Sequence, residues 1–235
     1  MINRTIIIEA YGGPENMQLV DWPVASPVGG DARIRHHCSG LNFTDIYRRA
    51  GLYKAPLPSP LGTEGAGIVE AVGDDVTHIS VGDRVAYASN SAGSYCDVRV
   101  MPAAQLCKLP DEIDFETAAA VMLKGLTVDY LFSRTTPITK GSTVLFHAAA
   151  GGVGSLLCQW AKHIGATVVG TAGGPSKVEK ARKNGWELEN IYLDIEKIMS
   201  KNKERKIENL IIDIFICEDL PKEKLDFIQN ASKDC

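Results

Sequence analysis

Along the first hundred residues the apolar positions come in short alternating runs broken by glycine and proline, the period-two pattern of half-buried strands. Residues 5–10 predict a strand followed by a turn at residues 11–14, and residues 32–38 predict a second that leads into Ser39 and Gly40. Residues 44–49 predict a short helix stopped by Gly51. Pro56, Pro58 and Pro60 then favour an extended surface loop. Residues 62–73 read as a glycine-studded strand, where small side chains suggest a tight corner or backbone lying beside a ligand. A turn into a strand at residues 81–87 and a further strand at residues 93–100 complete the texture of a small, twisted, barrel-like β domain.

After Pro110 the pattern changes. Residues 115–122 predict a helix with Asp114 as its N-cap, and residues 127–132 also suit a helix. From Thr143 the order is strand, helix, strand (residues 166–171) and helix (residues 176–184), a βαβα run. A third strand at residues 190–194, a polar helix at 195–206, a fourth strand at 209–215 and a Lys-rich helix at 222–232 are expected to follow. The β-branched run Thr143-Val144-Leu145-Phe146 enters a turn, His147-Ala148-Ala149-Ala150-Gly151-Gly152-Val153-Gly154, from which the helix at residues 155–162 starts. That is the setting in which a glycine fingerprint cradles a dinucleotide pyrophosphate. Gly151 lets backbone approach phosphate, Gly154 lets the helix pack on its strand, and the helix-start N–H groups and macrodipole favour an anion. The first expected glycine is Ala149, so taken alone the turn also reads as mere punctuation.

Composition narrows the class. The 235 residues, 45% hydrophobic and 23% charged, suit one large or two modest globular domains. A net charge of −4 argues against a general nucleic-acid binder. Six scattered cysteines without a CxxC pair point to reduced thiols in a cytoplasmic setting. No secretory leader and no apolar run of membrane length is expected.

Five ordered motifs sharpen this. They are Gly40-Leu41-Asn42-Phe43-Thr44-Asp45, Leu61-Gly62-Thr63-Glu64, Val81-Gly82-Asp83-Arg84-Val85, Leu123-Lys124-Gly125-Leu126-Thr127 and the glycine turn itself. Together they resemble the zinc-independent quinone oxidoreductases, the zeta-crystallin-like branch of the medium-chain dehydrogenases/reductases, over about residues 5 to 185. The resemblance implies an α/β fold. A GroES-like twisted β-barrel catalytic domain at residues 1–123 would precede a partial Rossmann doubly wound parallel sheet at residues 124–235, with NADPH in the cleft between. Zinc enzymes of the superfamily place Cys, His and Cys where this chain has Asn42, Thr63 and Lys124, and none of these is a good zinc ligand. The four-cysteine structural lobe is missing as well, since only Cys107 lies between Val100 and Leu109. No metal is expected.

The second Rossmann strand ends Gly170-Thr171-Ala172-Gly173-Gly174-Pro175-Ser176-Lys177, without the acid that normally binds the ribose hydroxyls of NAD. A hydroxyl at Ser176 and a cation at Lys177 suit a 2′-phosphate, although an N-cap serine beside a solvated lysine is the alternative. The resemblance assigns Lys177 the phosphate role, with Tyr192 packing nearby, and puts Ala150, Gly151, Gly152, Val153 and Gly173 around the cofactor. It also implies that Asn42 reaches toward nicotinamide and substrate, that Thr127 and Tyr130 face the cofactor, and that Tyr47 and Tyr53 flank the substrate cleft. Tyr53 falls where related enoyl-thioester reductases keep a proton-donating tyrosine, while a rim aromatic packing on a planar quinone is the favoured role. His36, His37 and His147 are expected to be structural.

The implied activity is NADPH-dependent reduction of quinones or related electrophilic enones by hydride transfer. An enoyl-thioester reductase is the alternative enzyme. From about Trp186 the resemblance weakens, and the chain stops at Cys235, well short of the family's usual length. A shortened member with an incomplete nicotinamide wall is expected, so a non-catalytic nucleotide-binding remnant is the other alternative. The strands that usually form the family dimer are not recognisable.

Overall fold

A computed structural model describes residues 3–172 and 176–179. The chain divides into two compact units, with the division after Leu126. In the first unit the strands are β1 (Arg4–Ile8), β2 (Met17–Asp21), β3 (Asp31–Gly40), β4 (Ser59–Pro60), β5 (Glu64–Val72), β6 (Arg84–Ala88), β7 (Val98–Pro102) and β8 (Cys107–Lys108), with helix α1 (Phe43–Ala50) between β3 and β4. They form a three-stranded antiparallel sheet, β2-β1-β4, and a five-stranded antiparallel sheet, β7-β3-β5-β6-β8. Alternation along β3 sends Ala32 and Ile34 inward, where they meet Val69, Val85, Tyr87 and Met101 in the main core. Two register shifts in the β3–β5 pairing, at Arg33/Ile34 and His36/Cys38, bend the sheet. The expected β texture is present, with β2, β4 and β8 added to the strands legible in the sequence.

One predicted strand moves. Residues 93–97 do not continue β7, which starts at Val98. Their backbone groups are drawn to two different strands: Tyr95 O accepts from Ile6 N, Asp97 N donates to Arg4 O, and Asp97 O accepts from His36 N. A segment shared this way bridges the sheets instead of extending one ladder.

Helix α2 (Phe115–Asp129) starts where Asp114 Oδ1 accepts the Thr117 N–H at 2.5 Å, as an N-cap does. Its first turns pack Ala118 and Ala119 on Ala66 of β5 and Ala86 of β6. The two predicted helices are one, because α2 runs through Gly125 and into a π-helical turn at Tyr130–Thr135. A single glycine costs a helix only about 1 kcal/mol, too little to break one already held by packing. In the second unit β9 (Thr143–Phe146), α3 (Gly152–Ile164) and β10 (Thr167–Gly170) make a βαβ unit, the strands parallel with Thr167 opposite Thr143. Val128, Phe132, Leu157, Cys158, Ala161 and Val168 form its core. Residues 176–179 are helical, and the expected elements beyond them lie outside the described residues.

A hydrogen-bonded chain crosses the first unit at His36. Its Nδ1 faces Cys96 O at 2.9 Å and its Nε2 faces the Tyr87 hydroxyl at 2.7 Å. Burial holds the imidazole down at about 4, so it is neutral near pH 7. In the unfolded chain the same ring titrates near 6.5. Between those values the unfolded state carries a proton that the folded state does not. Stability present above pH 6.5 is therefore lost as pH falls toward 4, by roughly 1.4 kcal/mol per pH unit and on the order of 3 kcal/mol in all. Urea unfolding of the wild-type chain and His36→Asn across this range measures the difference, and parallel stability–pH curves would refute it.

Candidate active site and nucleotide turn

The centre of the predicted catalytic side is a carboxylate. Glu64 opens β5 with no solvent exposure. Its Oε2 accepts from Asn42 Nδ2 at 2.8 Å and from Lys124 Nζ at 3.2 Å, and its Oε1 accepts from the Leu123 backbone N–H at 2.6 Å. Three donors from two helices thus converge on one buried acid. Because a carboxylate only accepts, Asn42 must present its amide nitrogen to Glu64, which makes Oδ1 the acceptor end of the buried amide. Asn42 is also the N-cap of α1, where its backbone N–H donates to Asp45 Oδ2 at 2.9 Å. The same oxygen accepts from the Tyr95 hydroxyl at 2.8 Å. Burial, then the Asp45 carboxylate, raises the Tyr95 phenol well above its ordinary range.

Asn42 is among the residues expected from the sequence; Glu64, the last residue of the Leu61-Gly62-Thr63-Glu64 motif, is not. The signal was available: an ionisable residue among Gly62, Gly65 and Gly67, in a strand of small side chains, is buried only if paired. Of the three positions compared with zinc ligands, Asn42 and Lys124 both bond Glu64, and Thr63 is buried beside them with its hydroxyl unpaired. An amide, a hydroxyl and an ammonium do not make a metal-donor set, and no cluster of three His, Cys, Asp or Glu occurs among the described residues.

The predicted aromatic pair is together. Tyr47 and Tyr53 lie edge to face at 5.6 Å, tied by the Tyr53 N–H to Tyr47 O bond of 3.2 Å, and Phe43 stands 6.2 Å from Tyr47. With Leu41 and Leu52 these rings form an exposed apolar face on and around α1.

In the second unit the predicted phosphate residues lie on the turn between β9 and α3. Gly151 is the N-cap of α3, and Ser155 N to Gly151 O, at 2.9 Å, is the first bond of the helix. The N–H groups of Gly152, Val153 and Gly154 have no intrahelical partner. Gly151 and Gly152 are exposed, with no side chain to cover those amides. Gly154 is the packing glycine: a Cβ there would lie 2.5 Å from Ala149 Cα. Ala148 adopts the left-handed region at φ 52°, which costs a non-glycine residue roughly 1 kcal/mol. Thr171 after β10 holds it there: Thr171 Oγ1 accepts from Ala148 N at 3.0 Å, and Thr171 O accepts from Ala149 N at 2.8 Å. Ala150 follows in the turn, Thr127 sits on α2, Tyr130 opens the π-helical turn and is exposed, and Ser176 and Lys177 are helical and exposed. Gly173 and Tyr192 lie outside the described residues.

Gly40 is the steric condition for the Glu64 cluster. A Cβ on it would lie 2.2 Å from Glu64 Oε2 and 2.3 Å from the Ala119 backbone oxygen. Gly40→Ala is therefore expected to lower stability by about 2–3 kcal/mol, within the range for overpacking, with an unchanged urea m-value. Gly30→Ala, where the added carbon meets nothing within 4 Å, is the control. Equal midpoints for the two variants would contradict the assignment.

Comparison with known proteins agrees with this fold. The alcohol dehydrogenase GroES-like domain matches residues 29–111. The quinone oxidoreductase of Pseudomonas aeruginosa is 53% identical over 186 residues, 78% of this chain and 57% of the relative. Quinone oxidoreductase 1 of Escherichia coli is 48% identical over 182 residues, 77% of this chain and 56% of the relative. The crystal structure of Escherichia coli quinone oxidoreductase complexed with NADPH superposes with a TM-score of 0.78 at 44% identity, covering 85% of this chain and 63% of that one. The chain thus spans little more than half the length of the curated relatives it matches. In fold it is α/β, a GroES-like β domain followed by a Rossmann-type βαβ unit. It belongs to the quinone oxidoreductase family of the medium-chain dehydrogenases/reductases.

Proposed function

We propose that this chain binds NADPH and catalyses hydride transfer to a quinone or a related electrophilic enone, without a metal. The observation that carries the reading is the turn after β9, which presents three unpaired first-turn amides beneath exposed glycines and so fits a pyrophosphate. The Escherichia coli relative, solved with NADPH, supports that choice of cofactor. Residues 1–123 supply the substrate-facing side chains in this reading, and residues 124–235 the cofactor-binding ones.

When bound, NADPH supplies the hydride, and the protein's part is to bind, orient and exclude water. Gly152, Val153 and Gly154 hold phosphate oxygens through their amides, with Ala150 and Gly151 shaping the turn. Ser176 and Lys177 take the 2′-phosphate, with Gly173 and Tyr192 completing the set, and Thr127 and Tyr130 line the same cofactor. Asn42 offers Oδ1 as a fixed acceptor because Glu64 holds its Nδ2. Tyr47 and Tyr53 pack against the planar substrate. A reducing, cytoplasmic setting belongs to the reading and suits the free thiols of Cys38, Cys96 and Cys107.

Calorimetric titration of the 235-residue chain with NADPH and NADH, and NADPH consumption with para-benzoquinone, test the proposal. NADPH should bind more tightly than NADH, and Lys177→Ala should weaken NADPH about tenfold while sparing NADH, as expected for one charge-assisted contact. Absence of NADPH binding by the folded chain would overturn the cofactor assignment. Binding without quinone turnover would overturn the catalytic half alone.

Thr171 gives a second test, since it fastens the turn without belonging to the phosphate set. Thr171→Val removes the Ala148 anchor and should weaken NADPH about fivefold, the equivalent of one hydrogen bond, with Thr171→Ser restoring most of the affinity. Equal binding by all three chains would show that the turn needs no such support.

A further inference from the structure

Within the first unit, apart from every residue assigned above, lies a cavity of about 360 Å³ whose wall includes Arg99, Ser91, Thr5, Trp22, Val24 and Val98. Arg99 projects from β7 and is only 8% exposed. A guanidinium cannot shed its proton in a protein, so this charge is carried inside the fold. Its hydrogen-bond partners among the described residues are neutral: Nη1 donates to the Tyr87 hydroxyl at 3.3 Å, and Nη2 donates to Ser91 O at 3.1 Å and Ser91 Oγ at 2.6 Å. The group also stands 5.2 Å over the Tyr87 ring.

No ion pair among the described residues includes Arg99. The near acid, Asp97, is taken by Arg4, whose Nε and Nη2 reach it at 2.9 and 3.2 Å. Behind Tyr87 the hydrogen bonds run in one direction. Arg99 donates to the Tyr87 oxygen, the Tyr87 O–H donates to His36 Nε2, and His36 Nδ1–H donates to Cys96 O. None of these groups supplies negative charge: burial pushes the Tyr87 phenol up to about 12 and the Cys96 thiol up to about 11, and the imidazole is neutral. Two of the five guanidinium N–H groups, at Nε and Nη1, have no acceptor among the described residues. A buried cation in this condition calls for an anion. The cavity lining also includes Trp22, Val24 and Val98, which offer apolar contact to the body of a ligand, beside the polar Asn3 and Thr5.

We propose that this cavity binds a small organic carboxylate with an apolar body, with Arg99 as its charge partner. The test uses sodium benzoate as probe and benzamide as its uncharged counterpart, each titrated into the full chain at constant ionic strength while Trp fluorescence and thermal midpoint are followed. Benzoate should bind and raise the midpoint, and benzamide should bind at least tenfold more weakly, as the loss of a charge-assisted contact predicts. Arg99→Gln should weaken benzoate by the same factor. Should that variant fail to fold, Ala25→Trp is the second: Ala25 is an exposed residue of the lining, and a bulky ring there should block benzoate without lowering the midpoint. Equal binding of the two probes, no binding of benzoate, or unaltered benzoate binding in either folded variant would overturn the proposal.

Discussion

The structure around the predicted catalytic side depends on one buried carboxylate. Removing Glu64 from water costs several kcal/mol, and that cost is tolerable only if donors close around both oxygens. They do, and each donor fixes something else: Asn42 sets the start of α1, while Leu123 and Lys124 lock the middle of α2 to the first residue of β5. Gly40 follows as a necessity, because no side chain fits between Glu64 and the Ala119 carbonyl. A single charge thus explains why a glycine, an asparagine and a lysine stand where they do. It also fixes which end of the Asn42 amide donates. In the proposed hydride transfer an amide fixed in advance serves orientation, which is what a protein contributes to such chemistry.

The turn proposed to bind the nucleotide poses the opposite problem. Its first-turn amides are left unpaired, so the loop is not stabilised by satisfying them. Support comes instead from the neighbouring strand: Thr171 bonds Ala148 and Ala149, and its own N–H returns to Phe146. The strained φ of Ala148 is held by those bonds, and Gly154 lets α3 sit close to the turn. Parallel pairing of β9 with β10 is what brings Thr171 within reach. The pairing therefore serves the turn as well as the sheet.

Much of this was legible in the sequence, for identifiable reasons. Helix α1 and its Gly51 stop, the Asp114 cap of α2, and β9–turn–α3 all rest on local signals, which neighbours in sequence decide. What escaped was decided at long range. The segment at residues 93–97 has strand-like composition, yet its backbone is claimed by Arg4, Ile6 and His36. Strands β4 and β8 have two residues each, too short to show a period. Residues 115–122 and 127–132 read as separate helices because propensity is local, while Val128, three residues past Gly125, is fully buried in the core that holds one continuous helix. Glu64 was missed for the same cause. Its role exists only through residues 22, 59 and 60 positions away.

Glu64 and Arg99, both held out of water in the first unit, are treated differently. Glu64 meets a cation and two further donors, so its site is electrically closed. Arg99 meets a phenol, a carbonyl and a hydroxyl, which relieve some desolvation but cancel no charge. Neither His36 nor Cys96 changes that balance, because burial keeps both neutral near pH 7. A closed charge next to the predicted chemistry stiffens the frame that orients a substrate. An open charge beside a cavity does the reverse: it lowers the cost of admitting an anion, since most of the guanidinium's own desolvation has been met on folding. The same physical cost, charge moved out of water, accounts for rigidity at one site and for ligand capacity at the other.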